Sequence, residues 1–340
     1  MATIVRTDRE LECPLIDRTL CEMGHELVLM PDGVTEDLLV EAVADAELIL
    51  MCYTPISRRV IEAAPKLRAI VKYGVGIDAI DIAAAKDNGV PVVNIPEYAE
   101  RTVAEGAFTL MIALAKRLIP MDRTMHADGW LWPETAWQGH DIAGKTVGLI
   151  GAGRIARAMA QMAGAGFGAR VVGYSPHTPA DDMLAAGIEP VGDLRALMAE
   201  SDFVSVHCVL NDETRHLIGA DEIAAMKQSA FLINTSRGAV VDEAALVAAL
   251  VEGRIAGAGL DVYSHEPLTL DGHPLSPLFG MDNVILLPHL TFFTAEAMAR
   301  LEQETLERCF EALEGRPVRI KSPDPRLAGQ PNGVTYEESG

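Results

Sequence analysis

Lys145-Thr-Val-Gly-Leu-Ile-Gly-Ala-Gly-Arg-Ile-Ala-Arg157 is the stretch of the chain that decides the fold. It predicts a short apolar strand, a glycine turn and the start of an amphipathic helix. Gly151, Gly153 and Ala156 match the dinucleotide pattern G-x-G-x-x-G/A, in which the first glycine permits a tight turn and the second lets the backbone approach a pyrophosphate. The N–H groups and positive dipole end of the helix would stabilise that anion. The stretch therefore predicts a nucleotide-binding α/β sheet.

Apolar runs alternate with helical patterns on both sides of this stretch. Such alternation predicts parallel sheets with crossover helices, and hence an α/β protein with two Rossmann-like or flavodoxin-like domains. A chain of 340 residues is also long enough for two domains. The predicted strands are 46–51, 69–71, 90–93, 147–150, 171–174, 203–206, 230–234, 256–260 and 284–287, and the predicted helices are 35–44, 58–64, 80–88, 102–116, 221–227, 242–252 and 295–313.

Two segments between the strands of the N-terminal part, up to residue 93, and those that begin at residue 147 have distinctive composition. Residues 102–116 are apolar almost all round, which predicts a helix buried between layers or domains, and Thr102 with Glu105 fits a capping box at its start. Residues 119–143 look less regular and contain all three tryptophans, so they predict a packing interface, either with another subunit or within the chain. The tryptophans are Trp130, Trp132 and Trp137.

The C-terminal segment 322–340 predicts a loosely ordered tail, because it is rich in proline and glycine. These residues are Pro323, Pro325, Gly329, Pro331, Gly333 and Gly340.

Composition excludes some classes of partner. With 28 basic and 49 acidic side chains the net charge is −21, which argues against nucleic acid and anionic membrane surfaces. A small anionic substrate stays compatible, since a pocket can be locally positive. The five cysteines are scattered without C-x-x-C spacing, there is no signal-peptide pattern, no run nears the length of a membrane span, and no metal site is expected. We therefore expect a cytoplasmic protein.

Polar side chains follow several predicted strands. Arg237, Glu266 and His289 follow the predicted strands 230–234, 256–260 and 284–287, respectively. They therefore lie at the sheet edge that carries the glycine turn. Taken singly, each is more often a surface ion pair, a solvated acid or a structural histidine; together they favour a site. Gly74 and Gly76 predict a nest of N–H groups that could bind a carboxylate, or an ordinary turn.

These motifs together resemble the D-isomer-specific 2-hydroxyacid dehydrogenases. They occur in the family's order between residues 46 and 300, and as a set they are highly specific. The matching stretches are Gly74-Val-Gly-Ile-Asp78 with Asp81, Thr102-Val-Ala-Glu105, Gly144-Lys-Thr-Val-Gly-Leu-Ile-Gly-Ala-Gly-Arg-Ile155, Asp212-Glu-Thr-Arg215, Asn234-Thr-Ser-Arg-Gly238 with Val241-Asp-Glu243, Leu260-Asp-Val262 with Glu266-Pro267, and Pro288-His289.

The resemblance implies a domain arrangement. Residues 1–101 and 290–321 would form a split substrate domain, and residues 102–289 an NAD(P)-binding Rossmann domain inserted in it. Two crossing helices would join the domains around a cleft. The resemblance also implies a homodimer held through the cofactor domains, including the tryptophan-rich segment.

The resemblance also implies a role for each motif residue. His289 would be the general acid that protonates the carbonyl oxygen as hydride arrives from nicotinamide, and Glu266 its partner, because a carboxylate beside an imidazole favours the imidazolium. Arg237 would bind the substrate carboxylate with its planar fork. The implied substrate contacts are Tyr53, Gly74, Val75, Gly76 and Arg237, and the implied cofactor contacts are Thr102, Gly151, Gly153, Arg154, Ile155, Ser175, His177, Cys208, Val209, Thr214, Thr235, Ser236 and Asp261.

The chain departs from the family pattern at a few positions. Gly106 stands where many relatives have histidine, and Val209 where they have proline. NAD-preferring members place an aspartate at the position of Ser175 to bind the ribose 2′-hydroxyl. NADP-preferring members often carry arginine nearby, and this chain offers only His177. The cofactor is therefore predicted to be NAD or NADP, with the preference open.

The substrate is also open within one class. The loop Cys52-Tyr-Thr-Pro-Ile-Ser57 has no basic residue before Arg58, which weakens the case for a phosphorylated substrate. Glyoxylate, hydroxypyruvate, pyruvate-like and sugar-derived 2-keto acids remain, and so do both reaction directions.

Two alternatives accompany this prediction. Transcriptional corepressors in the family keep the fold and sense NADH, and their glycine motifs would look the same. A corepressor needs a peptide groove on the N-terminal domain, and the acidic charge does not favour work near DNA. A formate- or phosphite-oxidising relative is the closer enzyme alternative, but the extra residues characteristic of such relatives are absent.

Overall fold

The computed structural model describes residues 1–330 and 333–337. The chain divides into two compact units, one formed by Met1–Ala99 with Thr294–Gly340 and the other by Glu100–Phe293. Each unit contains its own parallel sheet, of five and seven strands. The predicted α/β class with parallel sheets is confirmed.

The N-terminal part of the first unit alternates strands and helices. Its five strands pair in the order β2-β1-β3-β4-β5, and all pairs are parallel. The elements are β1 (Thr3–Arg6), α1 (Pro14–Glu22), β2 (Glu26–Leu29), α2 (Glu36–Ala42), β3 (Leu48–Met51), α3 (Arg58–Glu62), β4 (Ala69–Lys72), α4 (Ile82–Asp87) and β5 (Val92–Asn94).

The second unit is a doubly wound sheet. Its elements are α5 (Glu100–Ala115), α6 (Leu118–Asp128), β6 (Thr146–Ile150), α7 (Arg154–Ala160), β7 (Arg170–Tyr174), α8 (Ala180–Ala185), β8 (Glu189–Pro190), α9 (Leu194–Glu200), β9 (Phe203–Val206), α10 (Ala220–Ala225), β10 (Phe231–Asn234), α11 (Glu243–Val251), β11 (Gly257–Leu260) and β12 (Val284–Leu286).

The strand order of this second sheet is β12-β11-β10-β9-β6-β7-β8. The chain runs outward in one direction from β6 through β7 to β8, and in the other direction from β9 to β12. The order therefore reverses between β6 and β9, and ligands of such sheets bind at the carboxyl ends of the strands at this point.

The chain returns to the first unit with α12 (Ala295–Leu313), β13 (Val318–Ile320) and β14 (Val334–Tyr336). Thr294 caps α12 by accepting a hydrogen bond from the Ala297 N–H, 3.2 Å away. The apolar face of α12 packs on α1, β3 and β4. The bounds predicted for this helix from its periodicity are those observed.

The sequence analysis did not predict β1, α1 or β2, and in β1 the apolar run ends in a buried charge. Arg6 is 1% exposed and forms two hydrogen bonds of 2.8 Å with the carboxylate of Asp17 on α1. Its remaining donors contact the Asp8 and Leu11 carbonyls and the Tyr73 hydroxyl. A buried and fully paired arginine reads as a surface residue in sequence, which hides the strand.

Two expectations about the segments around α5 and α6 are wrong. α5 begins at Glu100, so Thr102 lies inside the helix, where it is buried, and does not cap it. Within residues 119–143, predicted to be less regular, α6 extends to Asp128.

The loosely ordered tail after Ser322 stays a prediction, and the described part of this segment contains a strand. In it β14 pairs with β13, and the Gln330 side chain exchanges two hydrogen bonds with the main chain of Val92. Pro331 and Gly340, on which that prediction partly rested, lie outside the described residues.

Candidate active site

The turn between β6 and α7 has the geometry of a pyrophosphate site. Gly151 adopts φ 98°, and a Cβ there would lie 2.9 Å from backbone atoms of His207 and Cys208. A Cβ on Gly153 would meet no atom within 4 Å, so this side of the turn is open to a ligand. Ala156 is fully buried where the helix meets the sheet. All three positions therefore have the local environment that the dinucleotide pattern requires.

The loops after β9 and β10 contact each other beside this turn. The Ser236 hydroxyl donates to the Cys208 carbonyl, and the Thr214 hydroxyl donates to the Val209 carbonyl at 2.6 Å. Val209 is 65% exposed. The Thr235 hydroxyl oxygen is buried and has no hydrogen-bond partner among the described residues. A buried hydroxyl without a partner at a predicted cofactor contact fits a bound nucleotide.

The loop after β7 carries the residues expected at the adenosine ribose. Ser175 Oγ lies 2.8 Å from Thr178 Oγ1, and His177 Nε2 lies 2.9 Å from Glu213 Oε2. A cavity of about 220 Å³ adjoins this loop and is lined by neutral side chains, with Ser175 and Thr178 among them. Position 175 carries no carboxylate, and the Glu213 carboxylate that lies beside His177 comes from a different loop.

His289 and Glu266 form a direct pair. His289 Nδ1 lies 2.8 Å from Glu266 Oε2, and the Tyr263 N–H donates to Glu266 Oε1 at 2.9 Å. Burial raises the pKa of Glu266. The hydrogen bond and charge of His289, the Tyr263 N–H and the charge of Arg237 lower it, and together they outweigh the effect of burial. The pKa of Glu266 therefore lies below its ordinary value, and the carboxylate is ionised across the neutral range.

Arg237 is positioned by the end of β10. The Asn234 amide, which is 1% exposed, donates to the Arg237 carbonyl at 2.9 Å and accepts from the Ser236 N–H at 3.0 Å. Arg237 Nη1 donates to the Ser236 carbonyl at 2.7 Å. A Cβ on Gly238 would lie 2.1 Å from the Tyr263 backbone, so only glycine permits this close approach. Asn234 and Gly238 therefore shape the loop that carries Arg237, and the sequence analysis quoted them only as motif letters.

Asp261, one of the implied cofactor contacts, accepts three hydrogen bonds from two residues. Its carboxylate accepts hydrogen bonds from the Leu290 N–H at 2.8 Å, the Thr291 N–H at 3.0 Å and the Thr291 hydroxyl at 2.6 Å. Asp261 is fully buried. The structure therefore places Asp261 under the backbone that follows His289.

The predicted carboxylate nest belongs to the first unit. The Val75 carbonyl accepts from the Asn94 amide at 2.6 Å, and the Gly74 carbonyl accepts from the Ile95 N–H at 3.0 Å. Among the described residues, the N–H groups of Val75 and Gly76 donate to no protein acceptor. Anchored carbonyls with free N–H groups are what an anion-binding nest needs.

Lys72 is a basic group that the sequence analysis did not place near this nest. It is 5% exposed, and its ammonium donates to the Cys52 carbonyl, lies 3.3 Å from Cys52 Sγ and sits 5.4 Å from the centre of the Tyr53 ring. Tyr53 itself is 38% exposed. The sequence feature that could have pointed to Lys72 is its position: it follows the predicted strand 69–71 and precedes the loop that contains Gly74 and Gly76.

Several other predicted cofactor contacts lie in the second unit. Arg154 and Ile155 open α7, and Arg154 Nη1 lies 3.4 Å from Glu100 Oε1. Arg237, Glu266 and His289, together with all the predicted cofactor contacts, fall within Glu100–Phe293.

Residues 108–291 match the model of the D-isomer specific 2-hydroxyacid dehydrogenase NAD-binding domain. The chain is also 41% identical over 291 residues to a glyoxylate reductase of Korarchaeum cryptofilum, an alignment that covers 84% of this chain and 86% of the relative. The chain belongs to the D-isomer specific 2-hydroxyacid dehydrogenase family.

Solved structures extend the likeness over nearly the whole chain. The D-lactate dehydrogenase of Aquifex aeolicus with NAD and lactic acid has a TM-score of 0.81 at 28% identity, covering 92% of this chain and 96% of that one. An acyclic imino acid reductase, Bsp5, with NADPH and D-Arg has a TM-score of 0.81 at 29% identity, covering 93% and 98%.

Membership of this family makes the chain an oxidoreductase that interconverts a 2-keto acid and a 2-hydroxy acid with NAD or NADP. The corepressor alternative is not favoured, since these relatives are named as enzymes. Among the helices of residues 1–330, none has the length and hydropathy needed to cross a bilayer.

Proposed function

We propose that the chain reduces a small, non-phosphorylated 2-keto acid to its D-2-hydroxy acid, and catalyses the reverse reaction, with His289, Glu266 and Arg237 as its catalytic machinery. The observation that carries the proposal is the 2.8 Å contact between His289 Nδ1 and Glu266 Oε2, with the charge of Arg237 acting on the same carboxylate. Pairing of Nδ1 with the carboxylate makes Nε2 the nitrogen that would exchange a proton with a substrate oxygen.

His289 is the proton donor in this proposal. The bound nicotinamide supplies the hydride. The imidazolium of His289, held by the Glu266 carboxylate, would give its Nε2 proton to the carbonyl oxygen as the alkoxide develops. In the reverse reaction the neutral imidazole accepts the proton from the hydroxyl group.

Arg237 binds and orients the keto acid. A guanidinium can pair with the substrate carboxylate through two N–H groups, and it also stabilises negative charge that develops on the carbonyl oxygen. Val75 and Gly76, whose N–H groups have no protein acceptor among the described residues, are proposed as further carboxylate donors, with Gly74 and Tyr53 beside them.

The second unit is proposed to hold the cofactor. Gly151, Gly153, Arg154 and Ile155 would bind the pyrophosphate, and the orphaned Thr235 hydroxyl fits a nucleotide partner. The Asp261 carboxylate has about four acceptor positions, of which the described residues use three, and we propose that the nicotinamide carboxamide takes the fourth. The other proposed cofactor contacts are Thr102, Ser175, His177, Cys208, Val209, Thr214 and Ser236.

The proposed substrates are the small keto acids glyoxylate and hydroxypyruvate. The name of the Korarchaeum relative supports glyoxylate. The ammonium of Lys72 is buried and already bonded to the Cys52 carbonyl, so it offers little to a phosphate. In domain terms we propose residues 1–101 and 290–321 as the substrate domain and 102–289 as the cofactor domain. We propose a homodimer as the assembled form.

The test is a panel of glyoxylate, hydroxypyruvate, pyruvate and 3-phosphohydroxypyruvate with NADH and with NADPH, followed by loss of the nicotinamide absorbance. We expect turnover with glyoxylate, hydroxypyruvate or both, and at least tenfold lower kcat/KM with the phosphorylated acid. Binding of NADH without turnover of any keto acid would contradict the proposal and support the sensing alternative.

A further inference from the structure

We propose that Asp261 and Thr291 are positioning residues that hold the backbone of His289 so that its imidazole meets Glu266. The inference rests on the proposed function of His289, and it assigns a second task to the buried carboxylate of Asp261 and a task to Thr291.

His289 has an unfavourable backbone conformation. Its φ is 59°, in the left-handed region that residues with a Cβ rarely adopt. Such a conformation persists only where the surrounding structure imposes it. The contacts on either side of His289 therefore decide whether its imidazole reaches Glu266.

The segment after His289 is fixed by Asp261. One carboxylate oxygen accepts the Leu290 N–H at 2.8 Å, and the other accepts both the Thr291 N–H and the Thr291 hydroxyl. The Asp261 N–H donates to the Asn234 carbonyl at 3.0 Å, which continues the ladder between β10 and β11. The anchor is therefore part of the sheet rather than of a loop.

The segment before His289 is fixed by the same strand end. The Leu287 N–H donates to the Leu260 carbonyl at 2.8 Å, and the Leu287 carbonyl accepts from the Tyr263 hydroxyl at 2.7 Å. The Tyr263 N–H in turn holds Glu266. Residues 260–266 thus carry the anchors on both sides of His289 and its carboxylate partner, so the pair is assembled from one short segment.

Gly106 gives Thr291 the room that this arrangement needs. A Cβ on Gly106 would lie 2.7 Å from Thr291 Cβ and 2.8 Å from Thr291 Cγ2, closer than side-chain atoms pack. A larger residue at position 106 would displace the Thr291 side chain, whose hydroxyl donates to Asp261. Gly106 and Thr291 therefore form a matched pair in this chain.

The test compares Thr291→Val with Thr291→Ser. Valine keeps the volume but removes the hydroxyl donor, whereas serine keeps the donor. We expect Thr291→Val to lower kcat about tenfold or more, since small displacements of a catalytic group are costly. We expect the Kd for NADH to change less than twofold, and Thr291→Ser to retain parental kcat.

A spectroscopic readout separates positioning from loss of fold. NMR spectra are recorded on protein with isotope-labelled histidines. The signal of the His289 imidazole is the one that disappears in His289→Asn. Its position in Glu266→Gln shows where the signal lies when His289 has lost its carboxylate partner. We expect the signal in Thr291→Val and in Asp261→Asn to move toward that of Glu266→Gln, while cooperative thermal unfolding is retained. Gly106→Ala should move it in the same direction.

A Thr291→Val variant with parental kcat and a parental His289 signal would overturn the inference. So would an Asp261→Asn variant that weakens NADH binding without moving the His289 signal, because Asp261 would then act on the nicotinamide alone. If the parent reduces no keto acid, the proposed function fails, and the histidine signals of the same variants still decide the inference.

Discussion

At the scale of the residue, the interaction of His289 with Glu266 sets an expected pH dependence. The charged imidazole is among the groups that lower the pKa of Glu266, so the carboxylate and the imidazolium stabilise each other. Glu266→Gln removes this mutual stabilisation of the two charges. Reduction needs a proton from His289, so the falling limb of the kcat/KM profile should move to lower pH in this variant.

His289→Asn is the matched control for this prediction, and should lower turnover about 10²–10⁴-fold with little change in cofactor binding. The measurement is the pH profile of keto-acid reduction for the parent and both variants. If Glu266→Gln keeps the parental limb while His289→Asn is inactive, Glu266 does not act on His289 during the reaction.

Cofactor choice is also a property of single residues. Ser175→Asp should shift the ratio of kcat/KM toward NADH, because a carboxylate there binds the ribose 2′-hydroxyl and repels a 2′-phosphate. Glu213→Gln should shift the ratio toward NADPH, since it removes the carboxylate that lies 2.9 Å from His177. Asp212→Asn, one residue away, serves as the control.

Steady-state kinetics with both cofactors give these ratios. An unchanged ratio in Ser175→Asp would show that this residue does not lie at the ribose.

At the scale of the element, a buried carboxylate joins α12 to the start of α1. Glu302, 6% exposed, accepts the Leu15 N–H at 2.6 Å and the Ile16 N–H at 3.1 Å. These are N–H groups in the first turn of α1, which has no side-chain cap of its own. Long-range capping of this kind fixes α1 against the C-terminal helix.

Glu302→Ala should lower the free energy of unfolding by about 1–3 kcal/mol, because it leaves buried donors unpaired. Glu302→Gln keeps an acceptor oxygen and should cost less, and Gln303→Ala on the exposed face of α12 should cost little. Denaturant unfolding measures all three. Equal losses for Glu302→Ala and Gln303→Ala would contradict the assigned contact.

At the scale of the whole molecule, we expect a homodimer. Trp130 and Trp132 are each 71% exposed and contact each other edge to face, with ring centres 6.4 Å apart. Exposed aromatic residues in one short segment are typical of protein interfaces. The Trp130→Ser, Trp132→Ser double variant should shift the protein toward monomer, whereas Leu184→Ser, which also replaces an exposed apolar side chain, should not.

Light scattering at micromolar concentration gives the mass of each variant. A parental mass of 36.5 kDa, that of a single chain, would rule the dimer out.

The sequence by itself determined the parallel α/β plan, all the major strands of the second unit and the bounds of α12, because periodicity and glycine turns are local signals. It also placed Arg237, Glu266 and His289 at neighbouring strand ends. Only the tertiary structure decided which groups support them. The hydrogen bonds of Asp261 to Leu290 and Thr291 join residues about thirty positions apart. A local sequence pattern cannot predict contacts between residues so far apart in the chain.

The same reason explains the parts of the fold that were missed. β1 contains Arg6, whose burial depends on its ion pair with Asp17. Residues 334–336 form β14 because they pair with β13. From the sequence alone Lys72 is a cation at the end of a strand. In the structure its ammonium donates a hydrogen bond to the Cys52 carbonyl. Arg6 and Lys72 are charged residues that are buried because partners elsewhere in the chain satisfy them, and the free energy of that pairing is a property of the folded chain rather than of the local sequence.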